Sequence, residues 1–340
     1  MGYSKEYKEN IMNVFRKLKN RYREPIQVYW CEITHLLSKH LHIKLYGEQT
    51  TLHYEREIYK KYLVDCGVIF EESSPTKKRK RYNGSYVPPT KIKKTKLYNS
   101  RFAPLSLREE TVIENKLVDS EYNVLIEKFN IPMTRQTIME IYENQWLSDD
   151  VVDFYMKMLN EHDMEMCMYD KTRRSSHYYS CYFMTLLLPP NGYNYNNVKG
   201  WSKKFNVFEK EKIFCPINVN ASHWSMLVIY IQEKMIAYYD SMQVHGKKYL
   251  DAALQYLVDE SLTMNRPFDK EQWTLITYTD GLPLQENDYD CGVFALMYAD
   301  FITDDLPLVF GQQHMELFRK KMCVAIMRGS FSYPSSVLLK

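Results

Sequence analysis

Cys291 stands in the run Asp288-Tyr289-Asp290-Cys291-Gly292, at the mouth of an apolar stretch that reads as a helix. Upstream lie His223-Trp224, Asp240 and Gln285, each beside a segment of β character. A thiol, an imidazole, a carboxylate and a side-chain amide are the four groups that a cysteine hydrolase uses. The pattern predicts covalent thiol chemistry on an acyl or isopeptide bond.

Each group has a definable task. A thiol is a weak nucleophile until an imidazolium, the positive end of a helix, or both favour the thiolate. A helix starting at Cys291 supplies one device, and His223 within hydrogen-bond reach supplies the other. His223 would take the thiol proton and return it to the leaving amine. Asp240 would accept from the other ring nitrogen and fix the ring. Seventeen positions separate His223 from Asp240, room for a strand, a tight turn and a returning strand. Both side chains then sit at one end of a hairpin. Gln285 and the backbone N–H of Cys291 would form an oxyanion hole, often worth about 3 kcal/mol. Singly, a His beside Trp is ordinary packing, an Asp ending a strand is a turn former, and a lone Cys is inert core. The joint arrangement carries the reading.

The elements that must hold these groups are legible as an α+β mixture with the nucleophile at a helix start. Ser148–Leu159 has helical periodicity, with Val151, Val152, Tyr155 and Leu159 on one side and Ser148 or Asp149 as N-cap. Lys212–Val219, Ser225–Ile231 and Lys234–Asp240 read as strands, the last two a hairpin turning at Glu233. Lys247–Met264 reads as a helix and Trp273–Thr279 as a strand. Gly292–Ile302 and Met315–Met327 read as helices, with Pro307 stopping the first from continuing.

At 340 residues, with 45% apolar and 26% charged side chains, the chain has core enough for one large or two ordinary domains. Its seven cysteines are odd in number and scattered, with no C-x-x-C pair and no bracketing histidines. A disulfide framework is not expected, nor is a metal or cofactor, and a reducing compartment fits. Met1–Glu6 is polar, without a signal core or a complete myristoylation pattern, and no apolar run is long enough to span a membrane.

The net charge of +3 hides a segregation. Residues 77–96 hold nine Lys/Arg and no acid, whereas residues 97–340 hold 24 basic against 32 acidic side chains. The expected organisation is an N-terminal extension over 1–72 and a basic Pro/Ser-containing linker over 73–100, ahead of the α+β body. Apolar stripes at Ile11, Val14, Phe15, Leu18 and Tyr22, and at Ile33, Leu36, Leu37 and Leu41, predict short helices in the extension. The 77–96 clusters fit the acidic groove of a nuclear import receptor, giving an expected nuclear location with the cytoplasm as a second one. A generic tether that neutralises phosphate without sequence preference is the other reading, and no specific nucleic acid is implied.

Four motifs resemble one family: His223-Trp224-Ser225, Tyr239-Asp240-Ser241-Met242, Pro283-Leu284-Gln285 and Asp290-Cys291-Gly292-Val293-Phe294. They are similar to the SUMO-specific (sentrin) proteases of the ubiquitin-like-protein protease family. Ile131–Arg135, Trp146–Asp150 through Met156, Tyr182–Met184 and Val198–Lys204 extend the likeness, which runs from about Asn115 to Lys340. Papain-like enzymes place the Cys before the His; here the order is His, Asp, Gln, Cys, in a papain-like architecture of the ubiquitin-like-protein protease type. The resemblance implies a central mixed sheet flanked by helices, and cleavage after the C-terminal Gly-Gly of a SUMO-like modifier. Its partners would be that modifier and the proteins conjugated to it. Trp146 and Trp224 match the indoles that form a narrow tunnel over the two glycines, and Asp149 matches an acid that pairs with an arginine on the modifier. Two flat rings leave room for Gly and exclude a β-carbon. Ser148 replaces the usual Asn and Tyr289 stands where a small residue is common, both beside the substrate channel. Three alternatives remain: another ubiquitin-like modifier, acetyl transfer as in related bacterial effectors, and a nuclear module that grips a modifier without turnover.

Overall fold

In the computed structural model, which describes residues 97–118, 123–277 and 281–331, a short helical turn at 97–102 precedes α1 (Leu107–Leu117). A hairpin of β1 (Val124–Lys128) and β2 (Ile131–Thr134) leads into α2 (Arg135–Tyr142) and the long α3 (Asp149–Tyr169). Then come β3 (His177–Tyr178), α4 (Tyr182–Leu187), β4 (Lys212–Val219), β5 (His223–Tyr230) and β6 (Met235–Tyr239). Next are α5 (Lys247–Thr263), β7 (Thr274–Thr277), α6 (Cys291–Thr303) and α7 (Met315–Arg328). The helical stripes expected between Ile11 and Leu41 and the basic segment 77–96 lie outside the described residues. Of the expected linker over 73–100, Leu97–Ser100 are helical and Leu97 is buried, because its side chain joins the main core. Residues ahead of the expected start at 115 thus pack onto the same body.

Five strands in the order β3-β4-β5-β6-β7 make the central sheet. Its inner pairs, β4–β5 and β5–β6, are antiparallel, and its outer pairs are parallel. Side chains alternate between faces of a pleated strand, and here both faces are covered. Phe214, Met226, Val228, Ala237 and Tyr239 join a core with α3, α6 and α7. Cys215, Ile217, Leu227, Ile229, Ile236 and Tyr238 join a second core with α4 and α5. Helix α6 is buried over all thirteen of its residues, as a helix apolar on every side must be. The expected mixed α+β architecture is the one observed, with most strand and helix ends shifted by one or two residues; the helix expected over Ser148–Leu159 runs ten residues further, to Tyr169.

The hairpin β1–β2 is absent from the sequence expectation. Phe129 and Asn130 form its two-residue loop at φ 62° and 59°, the left-handed values a primed hairpin turn requires. Phe is not a turn residue. It is held there because its ring packs on Phe154 at 5.3 Å and lies under the Lys128 ammonium at 4.7 Å.

The buried charges around Arg101 form one paired set. Arg101, 4% exposed, reaches Asp300 at 2.8 Å and Asp304 at 2.6 Å, and His162 bonds both Asp304 oxygens at 3.0 Å. Burial alone would raise the Asp304 carboxyl, but His162 and Arg101 hold it well below the usual carboxylate range. Replacing Arg101 by Ala leaves two buried carboxylates short of a counter-charge, a loss of about 3–5 kcal/mol. Urea unfolding of Arg101→Ala is expected to show that loss, whereas a change under 1 kcal/mol would mean that the 97–102 turn is only laid on the surface.

Candidate active site

Three chain reversals deliver the reactive groups. The loop 220–222 returns β4 into β5, with Asn220 and Ala221 both at φ 54°, and His223 is the first residue of β5. Asp240 follows the last residue of β6. Extending the β5–β6 register from Met226↔Tyr239 sets Ser225 opposite Asp240, so His223 is the diagonal neighbour on the same face, within reach of long side chains. Cys291 opens α6, whose packing against β5 brings the sulfur to the strand end.

His223 Nε2 and Asp240 Oδ1 are 2.8 Å apart, with His223 8% and Asp240 1% exposed. The carboxylate is fully engaged: Oδ1 also accepts from the Met242 backbone N–H at 2.8 Å, and Oδ2 from the Tyr238 hydroxyl at 3.0 Å. The Tyr238 ring presses on Gly246, where a β-carbon would lie 2.3 Å from the ring, so only glycine lets the tyrosine sit there. His223 Nδ1 is buried with no hydrogen-bond partner. The Cys291 sulfur is nonetheless near enough to act on the ring, a contact looser than a formed hydrogen bond, as is common before substrate arrives. Burial would lower the imidazole, but Asp240 and Cys291 together raise its pKa to about 9. The base is therefore protonated at neutral pH, an imidazolium beside a sulfur at a helix N-terminus.

The loop ahead of Cys291 is tied down residue by residue. Gln285 accepts the Ser241 hydroxyl at 2.6 Å through Oε1 and donates from Nε2 to the Asn287 carbonyl at 2.5 Å. The Asn287 side chain accepts from the Asp290 N–H at 3.0 Å and donates to Asp290 Oδ2 at 2.7 Å. Asp290, 2% exposed, is neutralised by Arg319 at 2.7 Å. Gly292 lies at a close approach, since a β-carbon there would meet the Leu147 side chain at 3.0 Å.

That approach seats the segment carrying Trp146. Its indole donates to the Asp288 carbonyl at 2.8 Å, and Trp224 donates to the Leu147 carbonyl at 2.9 Å. Both rings are thus tethered within three residues of Cys291 or of a segment touching Gly292. They are unequal, with Trp224 4% and Trp146 47% exposed. Asp149, the first residue of α3, lies 3.4 Å from the Asn218 amide, and its hydrogen bond to the Tyr182 hydroxyl helps push that phenol to about 12. Ser148 occupies the N-cap position without a side-chain cap hydrogen bond.

Of the seven residues singled out in the sequence, His223, Trp224, Asp240, Asp149 and Cys291 lie at element ends, and Gln285 and Trp146 lie in the loops that lead into α6 and α3. Sequence reasoning gave no task to Tyr238, Ser241, Asn287, Asp290 or Arg319. The first two were detectable as neighbours of Asp240. Arg319, in the middle of α7, carried no signal.

With this geometry in place, comparison with known proteins is informative. Residues 145–330, more than half of the chain, match the Ulp1 protease family, C-terminal catalytic domain. The chain is 32% identical over 235 residues to ubiquitin-like-specific protease 1A of Arabidopsis thaliana, covering 67% of this chain and 46% of that protein. It is 36% identical over 206 residues to human sentrin-specific protease 2, covering 60% and 33% respectively. It therefore spans less than half the length of these two relatives. The putative ubiquitin-like-specific protease 1B of Arabidopsis thaliana is 31% identical over 275 residues, with 76% of this chain and 78% of that protein covered. Among solved structures, the C-terminal Ulp1 protease domain in complex with Smt3, the yeast orthologue of SUMO, superposes with a TM-score of 0.56 at 25% identity, covering 67% of this chain and 97% of that one. The likeness expected from the motifs holds in sequence and fold, and the chain belongs to the Ulp1 protease family.

Proposed function

We propose that this protein is a thiol protease that cleaves after the C-terminal Gly-Gly of a SUMO-like modifier, maturing its precursors and freeing it from lysine side chains. The observation that carries the reading is the His223 ring. Its Nε2 is held by Asp240 at 2.8 Å, and its buried Nδ1 is left to Cys291 at the head of α6. The relatives' names and the Smt3 complex support the modifier class.

The reaction follows from the geometry. The Cys291 sulfur attacks the carbonyl carbon of the terminal glycine, and the carbonyl π pair moves to oxygen. The Gln285 amide and the Cys291 backbone N–H stabilise that oxyanion. Collapse breaks the C–N bond as His223 gives its proton to the leaving amine, leaving a thioester on Cys291. Water then attacks the thioester, His223 accepts its proton, and the modifier leaves with a free carboxylate. Trp146 and Trp224 line the approach and pass only glycines, and Asp149 pairs with a cation on the modifier surface. Residues 77–96 bind an import receptor that carries the protein into the nucleus.

The substrate assignment is tested with a SUMO whose C-terminal Gly-Gly is joined to an aminocoumarin. Cys291→Ser is expected to bind it without turnover. Wild type is expected to cleave the Gly-Ala version at least 100-fold less well in kcat/KM, since misplacing the scissile bond by about 1 Å costs on that order. Trp146→Ala should narrow the gap without unfolding the domain, because that ring is nearly half exposed. Equal rates on Gly-Gly and Gly-Ala would remove the tunnel, and cleavage of other ubiquitin-like modifiers alone would reassign the substrate.

The pH dependence has a defined sign. A base whose pKa is raised stays protonated below that value, so the imidazolium needed for the ion pair is lost only as pH rises through about 9. The alkaline limb of kcat/KM is expected there. In Asp240→Asn the carboxylate that helps raise the ring is gone, and the limb should move down toward 6.5. A limb unmoved by this substitution would mean that Asp240 does not support the imidazolium.

Residues 77–96 fused to a fluorescent reporter are expected to carry it into the nucleus, and removing them should leave cleavage intact. A reporter that remains cytoplasmic would reduce the segment to a tether.

A further inference from the structure

The short turn after β6 holds Asp240, which orients the base, and beside it Ser241, to which the proposed reaction assigns no task. Ser241 is 2% exposed. Its hydroxyl donates to Gln285 Oε1 at 2.6 Å, and its carbonyl accepts the Gln285 backbone N–H at 3.2 Å. The far end of the same amide donates to the Asn287 carbonyl at 2.5 Å. A carbonyl can only accept, so this contact identifies which end of the amide is nitrogen, and the Ser241 hydroxyl is left facing oxygen. The amide nitrogen carries a second hydrogen, and that is the one a developing oxyanion can use.

We infer that Ser241 is a positioning residue for catalysis: its hydroxyl locks the Gln285 amide with nitrogen toward the oxyanion, while the adjacent Asp240 locks the general base. The inference rests on the proposed reaction, in which Gln285 is an oxyanion donor. Without the hydroxyl, the last torsion of Gln285 has a broad, two-fold profile and only the Asn287 contact to restrain it. The amide then spends time turned or displaced, and a donor counts only at 2.7–3.1 Å from where the oxyanion forms. A continuous path results: His223 to Asp240, along the chain to Ser241, through Gln285 and Asn287 to Asp290, and so to Cys291. Base, oxyanion donor and nucleophile are set from one turn.

The test is a double-mutant cycle in the full chain, with the SUMO aminocoumarin as substrate. Ser241→Ala is expected to lower kcat roughly tenfold, the equivalent of one neutral hydrogen bond, with KM within about twofold. In a Gln285→Ala background the same substitution should cost nothing further, because the group it positions is gone. The alkaline limb of the pH profile should not move, since the His223–Asp240 contact does not involve the hydroxyl. An unchanged kcat in Ser241→Ala overturns the inference. So does an equal loss in both backgrounds, which is what a merely structural serine would give even if the variant were less stable. No cleavage by the wild type would overturn the proposed function itself, and this inference with it, a result distinct from either of the others.

Discussion

The ion pair between Asp290 and Arg319 at the head of α6 is the contact on which the site depends. Asp290 is 2% exposed, and its carboxylate immediately precedes the residue whose sulfur must carry negative charge. Left alone, a buried carboxylate there would oppose the thiolate. Arg319, itself 1% exposed, cancels it at 2.7 Å and donates onward to the carbonyls of Ile141 and Tyr289 at 3.0 and 3.1 Å. One guanidinium thus joins the end of α2, the loop before the nucleophile and the middle of α7. Breaking a buried pair of this kind costs about 3–5 kcal/mol, enough to consume much of a domain's stability of 5–15 kcal/mol. The loop ahead of the nucleophile is held by this core interaction together with its own Asn287 turn contacts.

The second constraint is strand register. Because side chains alternate, a one-residue slip of β5 against β6 would send His223 and Asp240 to opposite faces. Both are held at the α5 side of the sheet, and both occupy strand ends where the ladder no longer demands their side chains for packing. Trp224 and Tyr239, one position away from each, point to the other face and join the core around α6. The same alternation therefore builds the catalytic pair on one side and the seat for the nucleophile's helix on the other. Apolar packing against β5 fixes α6, and the sulfur is placed as a consequence.

Much of this was legible in the sequence, and the reasons differ by element. The run from Cys291 to Ile302 is apolar at nearly every position, so its burial and its start at a thiol could be read directly. His223, Asp240 and Gln285 were legible because catalysis restricts residue type and the spacing matched a hairpin. Phe129 was not legible as a turn residue, since only tertiary contacts with Phe154 and Lys128 make a left-handed phenylalanine tolerable. Arg319 and Arg101 were hidden for another reason. An arginine in a helical pattern reads as surface, and its carboxylate partner lies 29 or about 200 positions away. Pairing at that range leaves no local trace. Ser241 was visible as a neighbour of Asp240, but its hydrogen bond runs to a loop more than forty residues downstream.

The two tryptophans show how one residue type serves a site in two ways. Trp224 is packed in the core and bonded to the Leu147 carbonyl, so its ring cannot move without displacing β5 or the segment ahead of α3. Trp146 has nearly half its surface in solvent and is restrained by one hydrogen bond, to Asp288 in the loop before the nucleophile. Under the proposed reaction, a channel between them would have one wall set by the fold and one set by that loop. The loop is the same one that Gln285, Asn287, Asp290 and Arg319 stitch together. In the proposed reaction its rigidity would govern channel width and oxyanion geometry at once, tying the selection of glycine to the same contacts that stabilise the transition state.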